Sequence, residues 1–142
     1  MDIHARFSPD GRWIAYASNE TGRFEVYVQS FPASGSKWPI SINGGSQPRW
    51  RGDGRELYFF GPDRKLMAVE VKGEAPDKFE VGIPQPLFEF RVGGGGIDLG
   101  FPGTGYYTVS RDGKRFLVTA TAQLPENQQI SVVQNWTAAL KK

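Results

Sequence analysis

The 142-residue sequence predicts an all-β fold made of repeated antiparallel units, on the basis of an internal repeat, of tight-turn signals and of composition. The repeat occurs three times and centres on an Asp-Gly pair, which begins at Asp10, Asp53 and Asp112. Each pair separates two short apolar runs, and its glycine supplies the positive φ that a tight hairpin turn needs. Aromatic content of 13%, with 18 Gly and 10 Pro, favours many short strands and turns over helices.

The spacing of the repeat matches the length of one four-stranded propeller blade. Asp53 follows Asp10 by 43 residues, within the range of about 40 to 45 residues for such a blade. Asp112 follows Asp53 by 59 residues, and the extra length falls in 91–105, where a run of glycines predicts a flexible insertion. The predicted organisation is blade one over 4–45, blade two over 46–91, the insertion over 91–105 and blade three over 105–142.

Within each blade, apolar runs bounded by turn signals predict the individual strands. An innermost strand precedes each Asp-Gly turn, and further strands are predicted at 13–18, 24–31 and 38–43 in blade one and at 56–60, 66–72 and 79–90 in blade two. Pro84 and Pro86 interrupt the last of these, which suits an outer edge because an edge strand can spare an N–H. Blade three has strands predicted at 106–110, 115–121 and 130–136 and lacks its outer strand.

Three blades span only part of a circle, so the end faces of blades one and three are expected to lack neighbours. No spare strand precedes Phe7 to complete blade three, and the chain is therefore expected not to close its own ring. Burial of apolar area contributes about 25 cal/mol per Å², which favours association through these faces. We expect a half-propeller completed by oligomerisation, with a homodimer that forms a six-bladed ring as the simplest arrangement. The alternative is a fragment of a longer gene product.

Composition argues against several classes of partner and site. The net charge is only +2, and no basic run exceeds the terminal Lys141-Lys142 pair, so nucleic-acid binding is not expected. The chain has no cysteine, which excludes a thiol nucleophile and a thiolate metal site. No apolar stretch approaches the ~18 residues of a membrane span, and the N-terminus carries no signal-peptide pattern. These features predict a soluble chain and leave its compartment open.

The repeat motif resembles that of a known family. Phe-Ser-Pro-Asp-Gly-Arg at 7–12, followed by Ile-Ala-Tyr at 14–16, is similar to the WD-like repeat of TolB-type β-propellers, and the resemblance covers nearly the whole chain. Segments 18–28, 44–50 and 135–140 more closely resemble the C-terminal propellers of bacterial serine/threonine kinase-type sensors. The resemblance implies blades of a bacterial sensor propeller and a location outside the cytoplasm. It implies no kinase activity, because the glycine-rich ATP loop, the catalytic loop and the Asp-Phe-Gly motif are missing.

Innermost strands border the central channel of a propeller, and their residues are the first candidate ligand-binding set. Three of them occupy equivalent positions at the start of the innermost strands, and three more lie two residues further on. These residues are His4, Gln47 and Tyr106, then Arg6, Arg49 and Thr108. The alternative for Arg6 and Arg49 is that their long side chains stack between blades or pair with turn carboxylates.

Loops after the second strand of blades one and two form a second candidate set, facing a partner. The residues are Asn19, Glu20 and Arg23 in the first loop and Asp63 and Arg64 in the second. A surface ion pair between Glu20 and Arg23 is the alternative, worth about 0 to 1 kcal/mol.

Other chemistry-bearing residues favour structural roles. Asp10, Asp53 and Asp112 are expected to cap turn amides rather than to hold a metal ion. The tryptophans are expected to fill the space between sheets, although carbohydrate stacking stays open, most of all for Trp38. Gly93–Gly96 is interpreted as a loop rather than a phosphate cradle, because no lysine follows at the required spacing.

Two functions remain in competition. The first is a non-enzymatic binding or scaffold module that recognises a small-molecule ligand or a protein at the loop face and channel mouth. The second is a hydrolase or lyase whose active site is assembled at the central channel of the oligomer. Glu20, Asp63 and Glu126 are the acidic set to test for the second. No catalytic residue, metal ligand or cofactor is assigned.

Overall fold

A computed structural model describes residues 2–89, 107–121 and 128–134, and these form three antiparallel sheets, one for each copy of the repeat. The first sheet contains β1 (Asp2–Phe7), β2 (Trp13–Ser18), β3 (Glu25–Ser30) and β4 (Lys37–Pro39), in that order. The strand predicted at 38–43 is therefore shorter and starts one residue earlier. The all-β prediction is confirmed.

The second sheet is built around one long strand. It contains β5 (Ser46–Trp50), β6 (Glu56–Phe60), β7 (Lys65–Ala75), β8 (Lys78–Val81) and β9 (Gln85–Glu89). Both β8 and β9 run antiparallel to β7, β9 beside its first half and β8 beside its second half. The interrupted outer strand predicted at 79–90 is thus two collinear strands, and the break falls at Gly82, Ile83 and Pro84.

The third sheet contains β10 (Tyr107–Val109), β11 (Arg115–Thr121) and β12 (Gln128–Gln134), which makes three strands among the described residues. The predicted insertion at 91–105, together with Tyr106, Glu126 and Trp136, lies outside the described residues. The helical content of the described part of the chain is a single 3-10 turn, Pro62–Arg64. None of the described residues belongs to a helix long and apolar enough to cross a membrane.

The three Asp-Gly turns have the same geometry. Gly11, Gly54 and Gly113 adopt φ of 72°, 72° and 75°, and each donates its N–H to the carbonyl three residues earlier, at 2.8 to 2.9 Å. In the same turns the aspartate Oδ1 accepts the backbone N–H two residues later, at 2.9 to 3.0 Å. The aspartates are therefore turn caps, as predicted, and the described residues hold no group of three or more acidic or histidine side chains that could bind a metal ion.

The second turn reaches the same geometry with a different side chain. Ser8 Oγ donates to Asp10 Oδ1 at 2.6 Å in the first turn, and Ser110 donates to Asp112 in the same way in the third. Arg51 stands at this position in the second turn, and its Nε donates to Asp53 Oδ1 at 2.8 Å. The turn thus tolerates the departure from Ser-Pro because the Arg51 side chain supplies the donor that serine supplies in the other two turns.

Two apolar cores lie between successive sheets. Successive side chains of β6 enter different cores, because side chains on a strand point alternately to its two faces. Leu57 and Phe59 join the core with the first sheet, and Tyr58 joins the core with the third. The first core consists of Trp13, Ala15, Val26, Val28, Ile40, Leu57, Phe59, Val69, Val71 and Phe79. The second consists of Tyr58, Leu66, Ala68, Leu87, Tyr107, Phe116 and Val118.

The described tryptophans belong to the packing between sheets. Trp13 is buried, and its ring lies 5.8 Å from that of Trp38 and 4.8 Å from that of Phe79. Trp38 and Trp50 are partly buried and pack against the same core. Core packing therefore accounts for Trp38, the position at which carbohydrate stacking was the closest competitor.

Candidate functional site

The innermost strands β1 and β5 share a bulge that sets the direction of the side chains after it. One extra residue is inserted in β1 between Ile3 and Arg6, and one in β5 between Ser46 and Arg49. His4 and Gln47 lie in the two bulges with φ of 59° and 53°, a left-handed conformation that non-glycine residues seldom adopt. The bulges are thus equivalent features of the first two sheets.

Beyond the bulge, three predicted site residues occupy the same position in the three sheets. Arg6 lies opposite Ala15 of β2, Arg49 opposite Tyr58 of β6, and Thr108 opposite Leu117 of β11. Arg6 and Thr108 are exposed, and Arg49 is half-buried. The repeat therefore brings Arg6, Arg49 and Thr108 into one row across the innermost strands, which we call the arginine row.

Hydrogen bonds between neighbouring innermost strands hold this row together. Trp50 Nε1 donates to the carbonyl oxygen of Arg6 at 3.1 Å, which ties β5 to β1. The Tyr107 hydroxyl donates to the carbonyl oxygen of Gln47 at 2.7 Å, which ties β10 to β5. Both bonds end on backbone oxygens, so they locate the strands without occupying the arginine side chains.

The two arginines make matching contacts. Arg6 Nη1 donates to the Ala5 carbonyl at 3.0 Å, and Arg49 Nη1 donates to the Pro48 carbonyl at 2.9 Å. The Arg49 guanidinium also lies 5.6 Å from the centre of the Tyr107 ring, a cation–π distance. Neither arginine forms an ion pair within the described part of the chain. Of the two alternatives considered above, stacking between sheets holds for Arg49, and pairing with turn carboxylates holds for neither.

The electrostatics around this pair are cationic. Burial lowers the pKa of Arg49; the nearby Tyr107 opposes this shift and the charge of Arg6 adds to it. Burial raises the pKa of Tyr107, and the charges of Arg49 and Arg6 both act against that shift. Both arginine charges are therefore felt at Tyr107. Guanidinium groups with free N–H donors are the side chains best suited to carboxylate and phosphate oxygens.

The other predicted channel residues differ in accessibility. Gln47 is fully buried, unlike the exposed Arg6 and Thr108, and its ligand-binding role stays a prediction. His4 is half-buried in the equivalent bulge. Tyr106 lies outside the described residues, and its neighbour Tyr107 was missed. Strand alternation could have indicated Tyr107, because the residue beside an outward-facing Thr108 faces the core.

The first predicted partner-facing loop forms ion pairs other than the Glu20–Arg23 pair that was the alternative for it. Glu20 pairs with Lys37 on β4, and Arg23 pairs with Glu25 at 2.9 Å. An ion pair between Glu20 and Arg23 is therefore not formed. Asn19, Glu20 and Arg23 are exposed, as is Arg64 in the 3-10 turn that also contains Asp63.

Two open clefts were not predicted. The larger, of about 690 Å³, lies along the β7–β8 hairpin and is lined by residues of both charges, among them Arg55, Lys72, Glu70 and Glu80. The smaller, of about 520 Å³, lies between the first two Asp-Gly turns and includes Asp10 and Asp53. The smaller cleft joins residues near Asp10 to residues near Asp53, which are far apart in sequence, so local patterns do not report it.

Comparison with known proteins supports the fold. No protein-family model matches the chain, and no curated protein matches it in sequence. An oligogalacturonate lyase structure from Vibrio parahaemolyticus is similar over 79% of this chain and 26% of its own, with 15% identity and a TM-score of 0.52. A Bacteroides uniformis structure, provisionally assigned as a 6-phosphogluconolactonase, is similar over 92% of this chain and 39% of its own, with 17% identity and a TM-score of 0.49.

The chain therefore spans well under half the length of these two structures. Both are propeller-type folds. The similarity to the first, together with the three consecutive antiparallel sheets, shows that this chain is built from β-propeller blades.

Proposed function

We propose that this chain is a propeller-type binding module that recognises an anionic ligand on its innermost strands. The observation that carries the proposal is the pair Arg6 and Arg49, placed at the same register position on neighbouring innermost strands with no carboxylate partner among the described residues. Two adjacent guanidinium groups repel each other unless an anion lies between or beside them. A bound carboxylate or phosphate removes that repulsion.

The surrounding contacts support a prearranged site. Arg49 is oriented by its stacking on Tyr107 and by its bond to the Pro48 carbonyl, so little side-chain freedom is lost when a ligand binds. Arg6 is more exposed and adjusts to the ligand. Thr108, the third member of the row, offers a hydroxyl that donates to the same anion or to a neighbouring polar group of the ligand. The ligand is thus expected to carry at least one carboxylate or phosphate group.

The resemblance to sensor propellers agrees with a recognition role. In that interpretation the arginine row is the surface that binds the ligand, and the Asp-Gly turns have only a structural role in the blades. The hydrolase or lyase alternative rests on Glu20, Asp63 and Glu126; Glu20 pairs with Lys37, and Glu126 lies outside the described residues.

Calorimetric titration with citrate and with inorganic phosphate tests the proposal. We expect saturable binding that weakens as NaCl is raised, because added salt screens exposed charges. The Arg6→Gln/Arg49→Gln variant is expected to bind at least about tenfold more weakly, since each charged hydrogen bond contributes about 1.5 to 3 kcal/mol.

The matched control removes the same charge elsewhere. Arg12→Gln/Lys114→Gln changes two exposed cations at the turn ends and is expected to bind as the unsubstituted chain does. Absence of binding for both anions up to about 10 mM contradicts the proposal. Equal losses in the two double variants also contradict it, because they indicate a response to net charge alone.

A further inference from the structure

The end face of the first sheet is the counterpart of a face that the second sheet buries. Hydrogen bonds identify corresponding positions: Phe31 N–H donates to the Arg12 carbonyl at 2.8 Å, as Val71 N–H donates to the Arg55 carbonyl at 3.0 Å. The strand registers identify the remaining corresponding positions. Phe7 and Ile14 are cross-strand partners in the first sheet as Trp50 and Leu57 are in the second, and Tyr16 corresponds to Phe59 in the same way.

The corresponding residues differ in exposure. In the second sheet, Leu57, Phe59 and Val71 are all 5% exposed or less and form the core with the first sheet. In the first sheet, Phe31, the counterpart of Val71, is 51% exposed, and Phe7, the counterpart of the partly buried Trp50, is 57% exposed. Ile14 and Tyr16, the counterparts of Leu57 and Phe59, are half-buried. The two phenylalanine rings are in edge-to-face contact at 5.1 Å and make a small apolar platform. The first sheet thus presents, uncovered by any described residue, the surface by which a blade packs on its predecessor.

The third sheet carries the opposite side of this contact, the face by which a blade packs on the next blade. Leu117 of β11 occupies the same position as Ala15 of β2 and Tyr58 of β6. Each of the three is the cross-strand partner of a member of the row on the innermost strands. Ala15 and Tyr58 are fully buried against the next sheet, whereas Leu117 is 40% exposed. One chain therefore carries both halves of the same interface, one at each end of its array of sheets.

We infer that the platform of Phe7, Ile14, Tyr16 and Phe31 binds the Leu117 face of a second copy of this chain. The contact repeats the packing between the first and second sheets, so its geometry is already established twice within one chain. Two such contacts related by a two-fold axis close a ring of six sheets and leave neither end face exposed. The ring carries two arginine rows around one centre.

Sedimentation velocity from about 1 to about 200 µM tests this inference, because dimerisation depends on protein concentration. We expect a species of twice the chain mass of 15.8 kDa. Phe7→Ser/Phe31→Ser and, separately, Leu117→Asp are expected to raise the dimer dissociation constant at least about thirtyfold, as truncation of buried interface anchors does. Ile83→Ser, which changes a 79% exposed residue between β8 and β9, is the control and keeps the dimer.

A mixing experiment separates this interface from other modes of association. Each of the two weakened variants retains one intact half, so an equimolar mixture is expected to form a heterodimer that neither variant forms alone. Circular dichroism of each variant establishes that it is folded. A monomer for the unsubstituted chain across the whole range overturns the inference, as does a dimer that survives both substitutions or a folded mixture that stays monomeric. Failure to dimerise does not predict failure to bind an anion, because a monomer still carries Arg6 and Arg49.

Discussion

The backbone N–H of Gly52 donates a 2.8 Å hydrogen bond to the carbonyl oxygen of Arg111, which joins the second Asp-Gly turn to the third. The first turn has Pro9 at the position of Gly52, and proline has no N–H to donate to the turn that follows. The departure from Ser-Pro in the second copy of the repeat therefore has a structural consequence. It adds a direct link between sheets at a point where the first pair of sheets packs without one.

Gly52→Ala is expected to lower the free energy of unfolding by about 1 to 3 kcal/mol, the range for overpacking a close contact. A Cβ at this position contacts Arg111 Cγ and lies only 2.6 Å from its carbonyl oxygen. Urea unfolding measures the change. A difference below about 0.5 kcal/mol, the range of a neutral surface substitution, contradicts the predicted contact between the turns.

Ser8→Ala is expected to destabilise the chain by about 1 to 2 kcal/mol, because Ser8 Oγ is buried and joins two groups. It donates to Asp10 and accepts the Trp13 N–H at 3.1 Å. Ser110 makes the corresponding bonds at a more exposed turn, so Ser110→Ala is expected to cost less. Ser36→Ala is the exposed control. Thermal or urea unfolding that ranks Ser110→Ala above Ser8→Ala contradicts this account.

Tyr107→Phe is expected to cost about 1 to 3 kcal/mol while preserving anion binding. The substitution leaves the buried carbonyl of Gln47 without its hydroxyl donor. The aromatic ring beneath Arg49 remains, so the arginine keeps its orientation. Unfolding and citrate titration are measured on the same preparation. A loss of citrate affinity equal to that of the arginine variant contradicts the separation of these two roles.

The three turn aspartates predict a stability that declines in acid. The pKa of Asp10 is lowered mainly by the Ser8 hydroxyl, that of Asp53 by Arg51 and that of Asp112 by Ser110, all from an ordinary value of 3.8. Each carboxyl binds its proton more weakly in the folded chain than in the unfolded chain. Their stabilisation is therefore complete above the unfolded pKa and is lost as the pH falls through the lower folded values.

Unfolding measured from about pH 6 to about pH 2.5 checks this sign. The Asp10→Asn/Asp53→Asn/Asp112→Asn variant is expected to depend less steeply on pH below about 4 than the unsubstituted chain. An identical acid dependence in the two proteins is the contrary result. Asparagine keeps a side-chain oxygen that caps the turn amides, so the variant isolates the loss of charge.

The parts of the fold that sequence predicted are those that local chemistry determines. An Asp-Gly pair needs only its own turn to form, and the strands on either side follow from alternation and from the turn geometry. Arg6, Arg49 and Thr108 could be placed in one row for the same reason, since the repeat transfers position from one sheet to the next.

The remaining features depend on residues far apart in the chain. Glu20 pairs with Lys37 because β4 returns beside the loop, which no local pattern records. The burial of Gln47 depends on the bulge in β5 and on the third sheet packed against it. The length of β7 likewise depends on two separate partner strands, β8 and β9. Pairing with both extends β7 beyond the strand predicted at 66–72.

NMR of the arginine side chains locates the bound anion. In isotope-labelled protein titrated with citrate, we expect the guanidinium signals of Arg6 and Arg49 and the amide signal of Thr108 to shift together and to saturate at one affinity. Shifts centred instead on Arg55 and the amide of Lys72, in the cleft along the β7–β8 hairpin, would contradict the proposed site.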